Sequence, residues 1–251
     1  MPRELFLGAG PWKAFPRGGG SETLSSDPAF IYQDIVVSLA PERKINNGQP
    51  SLHAACLAAL DLTEGETVVQ IGAGTGYYSA VISRLVGETG VVIAYEIEPD
   101  LAYRAAHYLR NFPNVSVNNR SGSEGVLPRC DAVYVCAGAT GPLDLWLDAL
   151  RPNGRLIFPL TSADRSGGVP GAGGMLLVEH VANDFYRARF INLVSFSPCT
   201  GARDDETAAK LTRAFSRGDA NDVRSLRRGT LPDKSCWCSG KGWWLSTSEI
   251  A

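Results

Sequence analysis

Residues 67–97 read T-V-V-Q-I-G-A-G-T-G-Y-Y-S-A-V-I-S-R-L-V-G-E-T-G-V-V-I-A-Y-E-I. They hold the groups best suited to chemistry. The glycines of Gly72-Ala73-Gly74-Thr75-Gly76 let a backbone turn tightly and approach a ligand. A helix opening directly after them offers unpaired N–H groups and a positive dipole end to an anionic group. Glu96 supplies an acid that can accept from both hydroxyls of a ribose. The combination points to a nucleotide-like ligand carrying a sugar. The spacing is not the dinucleotide fingerprint, which needs a small residue where Tyr77 stands. That departure disfavours a nicotinamide-dependent oxidoreductase.

These groups need a strand–loop–helix–strand unit to position them. Residues 67–71 form a short β-branched run suited to a buried parallel strand. Ala80, Val81, Leu85 and Val86 follow at helical spacing. A second apolar run, 91–95, ends at Glu96. Beyond it, a helix is expected over 99–111, a strand over 114–118, a polar loop over 119–127 and a strand over 131–136. A helix over 141–150, a turn at 151–154 and a strand over 155–160 complete the series. This alternation predicts a parallel sheet with helices on both faces. Residues 162–174 read as a glycine-rich loop. Segments 175–181 and 187–196, turning at Asn183-Asp184, read as an antiparallel hairpin.

Upstream, Gly18-Gly19-Gly20 reads as loop, and residues 30–37 suggest a short strand. Pro50 marks the start of a helix through Leu60. Downstream, a charged helix is expected over 204–217. A final hairpin is expected around Ser239-Gly240-Lys241-Gly242, with Trp237, Trp243 and Trp244 packing. Arg224, Arg227 and Arg228 read as a solvated helix face. Strand alternation would put Cys236 and Cys238 on one face.

The 251 residues suit one large domain or two small ones, and the net charge of −2 argues against general nucleic-acid or membrane-surface binding. No apolar run approaches the ~18 residues of a membrane span, and the N-terminus lacks a signal segment. A cytoplasmic, reducing compartment is expected. Cys56, Cys130, Cys136 and Cys199 stand singly, and His53, His107 and His180 are scattered, so no metal site is expected.

Individual segments carry a more specific signal. Pro2-Arg3-Glu4-Leu5-Phe6, Tyr32-Gln33-Asp34, Gly48-Gln49-Pro50-Ser51-Leu52-His53-Ala54, Ile71 to Gly76, Ser123-Glu124-Gly125, Leu150 to Leu156 and Phe196 to Gly201 stand in order along the chain. Together they resemble the motifs of the protein-L-isoaspartate O-methyltransferase family. The resemblance implies an α/β, Rossmann-like methyltransferase sheet of about seven strands, five parallel plus an antiparallel hairpin. It implies a methyltransferase domain over 1–203 and an extension over 204–251 packed on it. It also implies S-adenosylmethionine as cofactor, S-adenosylhomocysteine as product, and a protein or peptide carboxylate, or a small-molecule acceptor, as substrate.

On the family's pattern, Gly72, Ala73, Gly74, Thr75 and Gly76 line the methionine part, Glu96 holds the ribose and Ile97 lies against adenine. Ser121 and Gly122 reach the adenine edge, Gln49, Pro50, Ser51 and His53 cover the cofactor, and Thr200 makes a late contact. Two departures stand out. Gly48 occupies the position of an active-site Ser or Thr, leaving Ser51, Asn46 or Asn47 as substitutes for the missing hydroxyl. Ser121 replaces an acid. A diverged acceptor site, or a cofactor-binding protein without turnover, is the alternative these departures raise.

Overall fold

The computed structural model describes residues 1–15, 20–162, 171–182 and 184–250. Most of the glycine-rich loop expected over 162–174, Gly18-Gly19 and the turn residue Asn183 lie outside the described residues. The chain divides into two compact units, Met1–Arg120 and Ser121–Ala251.

In the first unit a small antiparallel sheet precedes the parallel one. Its strands are β1 (Lys13–Phe15), β2 (Ser21–Glu22), β3 (Val36–Ala40) and β4 (Ile45–Asn46), in the order β2-β1-β3-β4. The strand expected over 30–37 begins only at Val36. A 3-10 turn occupies Pro28–Phe30, capped by Asp27. The carbonyls of Ile31 and Ile35 serve the buried Arg3 guanidinium instead of a strand ladder.

Helix α1 (Pro50–Leu60) starts on its proline, as expected. Strand β5 (Thr67–Ile71) is buried from Val68 onward, consistent with a strand covered on both faces. Helix α2 (Tyr77–Leu85), strand β6 (Val91–Tyr95), helix α3 (Pro99–Tyr108) and strand β7 (Val115–Asn118) follow. The pairings are parallel, with Thr67 opposite Val91 and Val92 opposite Val115.

The second unit contains β8 (Cys130–Val135), α4 (Asp144–Ala149), β9 (Leu150–Thr161), β10 (Gly173–Ala182) and β11 (Phe185–Val194). Helix α4 is shorter than the expected 141–150, because Leu143 before it and Leu150 after it are extended, and Leu150 already begins β9. The turn expected at 151–154 is a bulge inside β9. Cys130 faces Leu150 and Ala132 faces Arg155, with Asn153 at φ 63°. Strands β8 and β9 are parallel, whereas β9, β10 and β11 run antiparallel.

The expected sheet of about seven strands would end at that hairpin. Here α5 (Asp205–Ser216) leads into three more strands, β12 (Ser225–Arg228), β13 (Cys236–Gly240) and β14 (Trp243–Ser246). They continue it antiparallel in the order β11-β12-β14-β13. The final hairpin turns where expected.

The basic cluster does not form a helix face: Arg227 and Arg228 lie on β12, and Arg224 precedes it. Arg228 reaches Asp148 at 2.7 Å, Asp144 at 3.3 Å and Asp184 at 3.7 Å. Arg227 lies over the Trp244 ring at 4.8 Å. Cys236 and Cys238 do not simply alternate, because a register shift separates them and buries Trp237 and Cys238 together. Trp237 packs edge-on against Phe190 and Phe215 at 5.4 and 5.2 Å, a packing role as expected. Among the described residues, no helix is long and apolar enough to cross a membrane.

Candidate active site

The glycine loop joins β5 to α2 inside the first unit. Gly72, Gly74 and Gly76 have φ of 76°, 57° and 89°, a region that side-chain-bearing residues avoid. A β-carbon on Gly76 would stand 2.6 Å from Leu109 Cδ1, so that glycine lets the loop close onto the end of α3. A β-carbon on Gly74 would meet Leu39 Cδ1 of β3 at 3.2 Å. Among the described residues, no side chain caps the start of α2. Thr75 is 1% exposed, and its hydroxyl finds no hydrogen-bond partner among the described residues. A buried hydroxyl in that condition is costly unless something supplies a partner.

Glu96 stands just past β6, 5% exposed. The Gly74 N–H donates to its Oε2 at 2.6 Å and the Glu98 N–H to its Oε1 at 3.0 Å. Each carboxylate oxygen keeps a lone pair beyond these bonds. Burial raises its pKa above the usual carboxylate value, and the backbone N–H groups of Glu98, Gly74 and Ile97 work in the opposite direction. Ile97 beside it is 44% exposed, an apolar surface open to a flat ring. Arg43, from the turn after β3, binds Glu98 at 2.5 Å and Asp100 at 2.7 Å and ties that turn to the start of α3.

The segment 46–53 lies in the same unit and is organised by Arg3. This side chain is 3% exposed and donates to Asn47 Oδ1, Ile31 O, Ile35 O and Gly48 O at 2.9 to 3.1 Å. Asp34 accepts from Gln49 Nε2 at 2.6 Å, Ser51 N at 2.8 Å and Ser51 Oγ at 2.7 Å. It therefore ties the start of α1, with Pro50 in its first turn, to the segment before β3. The Ser51 hydroxyl proton is committed to Asp34. Asn46 Oδ1 accepts from Gly48 N at 2.8 Å.

Gly48 itself has φ 70°, and a β-carbon there would stand 2.0 Å from His53 Nε2. His53 is buried and stacks on Tyr78 at 3.7 Å with planes 9° apart. Burial, helped by Arg3, pushes its pKa down to about 3, so the ring is neutral near pH 7.

The remaining candidates belong to the second unit. Ser123 Oγ donates to Thr200 O at 2.5 Å, and Ser121 Oγ lies 2.6 Å from Ser123 Oγ. Since the Ser123 proton is used on Thr200, Ser121 must donate to Ser123. Ser121 also accepts from Ser123 N–H at 3.1 Å. One acceptor lone pair remains on Ser121, which suits an amine donor. Gly122 O accepts from Trp146 Nε1 at 2.9 Å. Ser121 and Thr200, far apart in sequence, are thus linked through Ser123.

A family model for protein-L-isoaspartate(D-aspartate) O-methyltransferase matches residues 22–171. The chain belongs to this family. Among its relatives, a protein-L-isoaspartate O-methyltransferase of Archaeoglobus fulgidus is 36% identical over 115 residues, 44% of this chain and 52% of that protein. The chain spans about half the length of the first curated relatives it matches. A solved protein-L-isoaspartate O-methyltransferase aligns over 86% of this chain and 62% of its own, with TM-score 0.63 and 24% identity. A Plasmodium falciparum structure described as a member of the family, solved with S-adenosyl-L-homocysteine, aligns over 68% of this chain and 82% of its own. Its TM-score is 0.55 at 20% identity. Both show the shared α/β methyltransferase fold.

Three residues of the site were not given roles from the sequence. Arg3 stands in the family-like Pro2-Arg3-Glu4 motif, but its four acceptors are distant in sequence. Leu39 and Arg43 carry no local signal, because their partners Gly74, Glu98 and Asp100 lie well downstream.

Proposed function

We propose that this chain is an S-adenosylmethionine-dependent O-methyltransferase that methylates a carboxylate on a protein or peptide. The observation that carries the reading is Glu96, a buried carboxylate fastened to the glycine loop through Gly74 N–H, with lone pairs left for two ribose hydroxyls. The cofactor fits the residues present. The glycine cradle would be narrowed by a β-carbon at Gly74, and the Thr75 hydroxyl needs a polar partner.

Gly72, Ala73, Gly74, Thr75 and Gly76 would hold the methionine part, Glu96 the ribose and Ile97 the adenine face. Gln49, Pro50, Ser51 and His53 would form the covering segment. Ser121, Gly122 and Thr200 are proposed contacts on the family's pattern alone. On the same pattern, residues 1–203 are the methyltransferase domain and 204–251 an extension of it.

The bound cofactor supplies an electrophilic sulfonium methyl. A carboxylate acceptor is already anionic, so the chain's residues need not remove a proton. Their task is to align the acceptor and exclude water. His53, held neutral, contributes no charge to that task near pH 7. Ser51 and Asp34 fix the start of α1, so their contribution is to the shape of the acceptor segment.

The acceptor proposed is a protein carboxylate aligned without a hydroxyl at position 48. Family membership supports an isoaspartyl carboxylate, while the close approach of His53 to Gly48 favours a remodelled acceptor pocket. The test is a titration of S-adenosylhomocysteine, followed by labelled methyl transfer to isoaspartyl and matched aspartyl peptides. Product binding with turnover on a carboxyl peptide is expected. Binding without turnover on any carboxyl acceptor would defeat the proposal.

A further inference from the structure

The second unit contains a cavity of about 400 Å³, lined by none of the residues assigned to the proposed methyl transfer and walled by β10, β11 and the last residues of the tail. Across the β10–β11 hairpin, Leu177 faces Arg189 and Glu179 faces Arg187. Directly opposed residues of an antiparallel pair share a face, so these four side chains line one side together. Arg224, whose carbonyl accepts from Ala188 N–H at 2.9 Å, also lines the cavity. Glu249 and Ile250 complete the lining.

The lining carries three arginines, Arg187, Arg189 and Arg224, against two carboxylates, Glu179 and Glu249. Arg187 has Glu179 directly across the strands, whereas Arg189 faces the buried Leu177. Arg224 Nη1 donates to the carbonyls of Asn221 and Val223 at 2.6 and 3.0 Å, which are not carboxylates. Among the described residues neither Arg189 nor Arg224 forms an ion pair. Two guanidinium groups above an apolar floor suit a ligand with a carboxylate and a short hydrocarbon body. Guanidinium presents paired N–H groups that match a carboxylate edge to edge, and the volume falls within the usual range for small-ligand sites.

We propose that this cavity binds a carboxylate ligand between Arg189 and Arg224. The carboxylate comes either from a free short-chain dicarboxylic acid or from an acidic side chain of a polypeptide. Calorimetric titration of the full chain with glutarate, and separately with a blocked Leu-Glu-Glu peptide, distinguishes the two sources. Saturable binding of at least one probe is expected, weakened tenfold or more by Arg189→Leu and by Arg224→Leu. Arg187→Leu should have less effect, because Glu179 already faces that residue. Binding should also weaken as salt is raised. Glutarate binding alone identifies a free acid, and peptide binding alone identifies a polypeptide. No saturable binding of either probe, or binding untouched by both variants, overturns the proposal. All three arginines are exposed, so the variants should fold, and their affinity for S-adenosylhomocysteine should match that of the parent chain.

Discussion

The glycine loop and the 46–53 segment lie in one compact unit, yet their polar groups are arranged to opposite effect. At the loop, Thr75 has a buried hydroxyl without a partner among the described residues, and Glu96 keeps acceptor capacity beyond its backbone donors. At the segment, Ser51 is bound to Asp34, Asn47 and Gly48 O to Arg3, and Asn46 to Gly48 N. One region leaves polar capacity open, which the proposed function assigns to a ligand. The other directs its polar capacity inward to fix backbone shape. On the proposed reading, the difference teaches that the nucleoside side works through open polar groups and the acceptor side through shape and burial.

The comparison breaks most visibly at Gly74. Gly74→Val places a branched side chain at φ 57° and against Leu39. It should weaken S-adenosylhomocysteine binding by about 100-fold, roughly 2.7 kcal/mol. Calorimetry checks this, and normal affinity would mean the loop does not cradle the ligand. The second region breaks at Arg3. Arg3→Met leaves buried carbonyls without a donor and should cost about 2–4 kcal/mol of stability in denaturant titration.

Gly48 sharpens the contrast. Gly48→Ser restores a hydroxyl but puts its β-carbon onto His53 at a backbone angle that disfavours it. A loss of about 1–3 kcal/mol is expected. Because part of that loss is the collision, His53→Ala in the same chain should recover some of it. Additive losses in the double variant would show that the ring is not what excludes a side chain at position 48.

A pH profile tests the ring itself. The folded pKa of His53 lies near 3, below its ordinary 6.5. Between those values the unfolded chain takes up a proton that the folded chain refuses. Its contribution to stability is therefore intact above about pH 6.5 and is lost progressively toward pH 3. In thermal unfolding across that window, His53→Gln should show a shallower acid slope than the parent. The smallest effect is expected at Arg43. This exposed guanidinium bridges Glu98 and Asp100, so Arg43→Ala should lower S-adenosylhomocysteine affinity only a few-fold, an effect that high salt reproduces in the parent chain.

The parallel unit was legible because its information is local. A β-branched run, a glycine loop and an apolar helix face follow one another without interruption, and β5 and β6 occupy the residues expected. The tail was only partly legible. Its final hairpin has a local turn signal, but the arginines of β12 read as a helix face because their carboxylate and aromatic partners lie elsewhere in the second unit. Within the site, Glu96 follows from its position at a strand end. The crowding of Gly48 by His53 depends on a backbone angle and a ring placement, and neither leaves a trace in residue order.

The most direct measurement pairs Glu96→Ala with two ligands, S-adenosylhomocysteine and its 2′,3′-dideoxyribose counterpart, in calorimetric titrations near pH 7.5. If Glu96 grips the sugar, the substitution weakens the natural product severely and barely changes affinity for the dideoxy compound. The parent chain's preference for the natural product should also fade as falling pH protonates this raised carboxylate. Equal losses for both ligands, or no loss for either, would contradict the account.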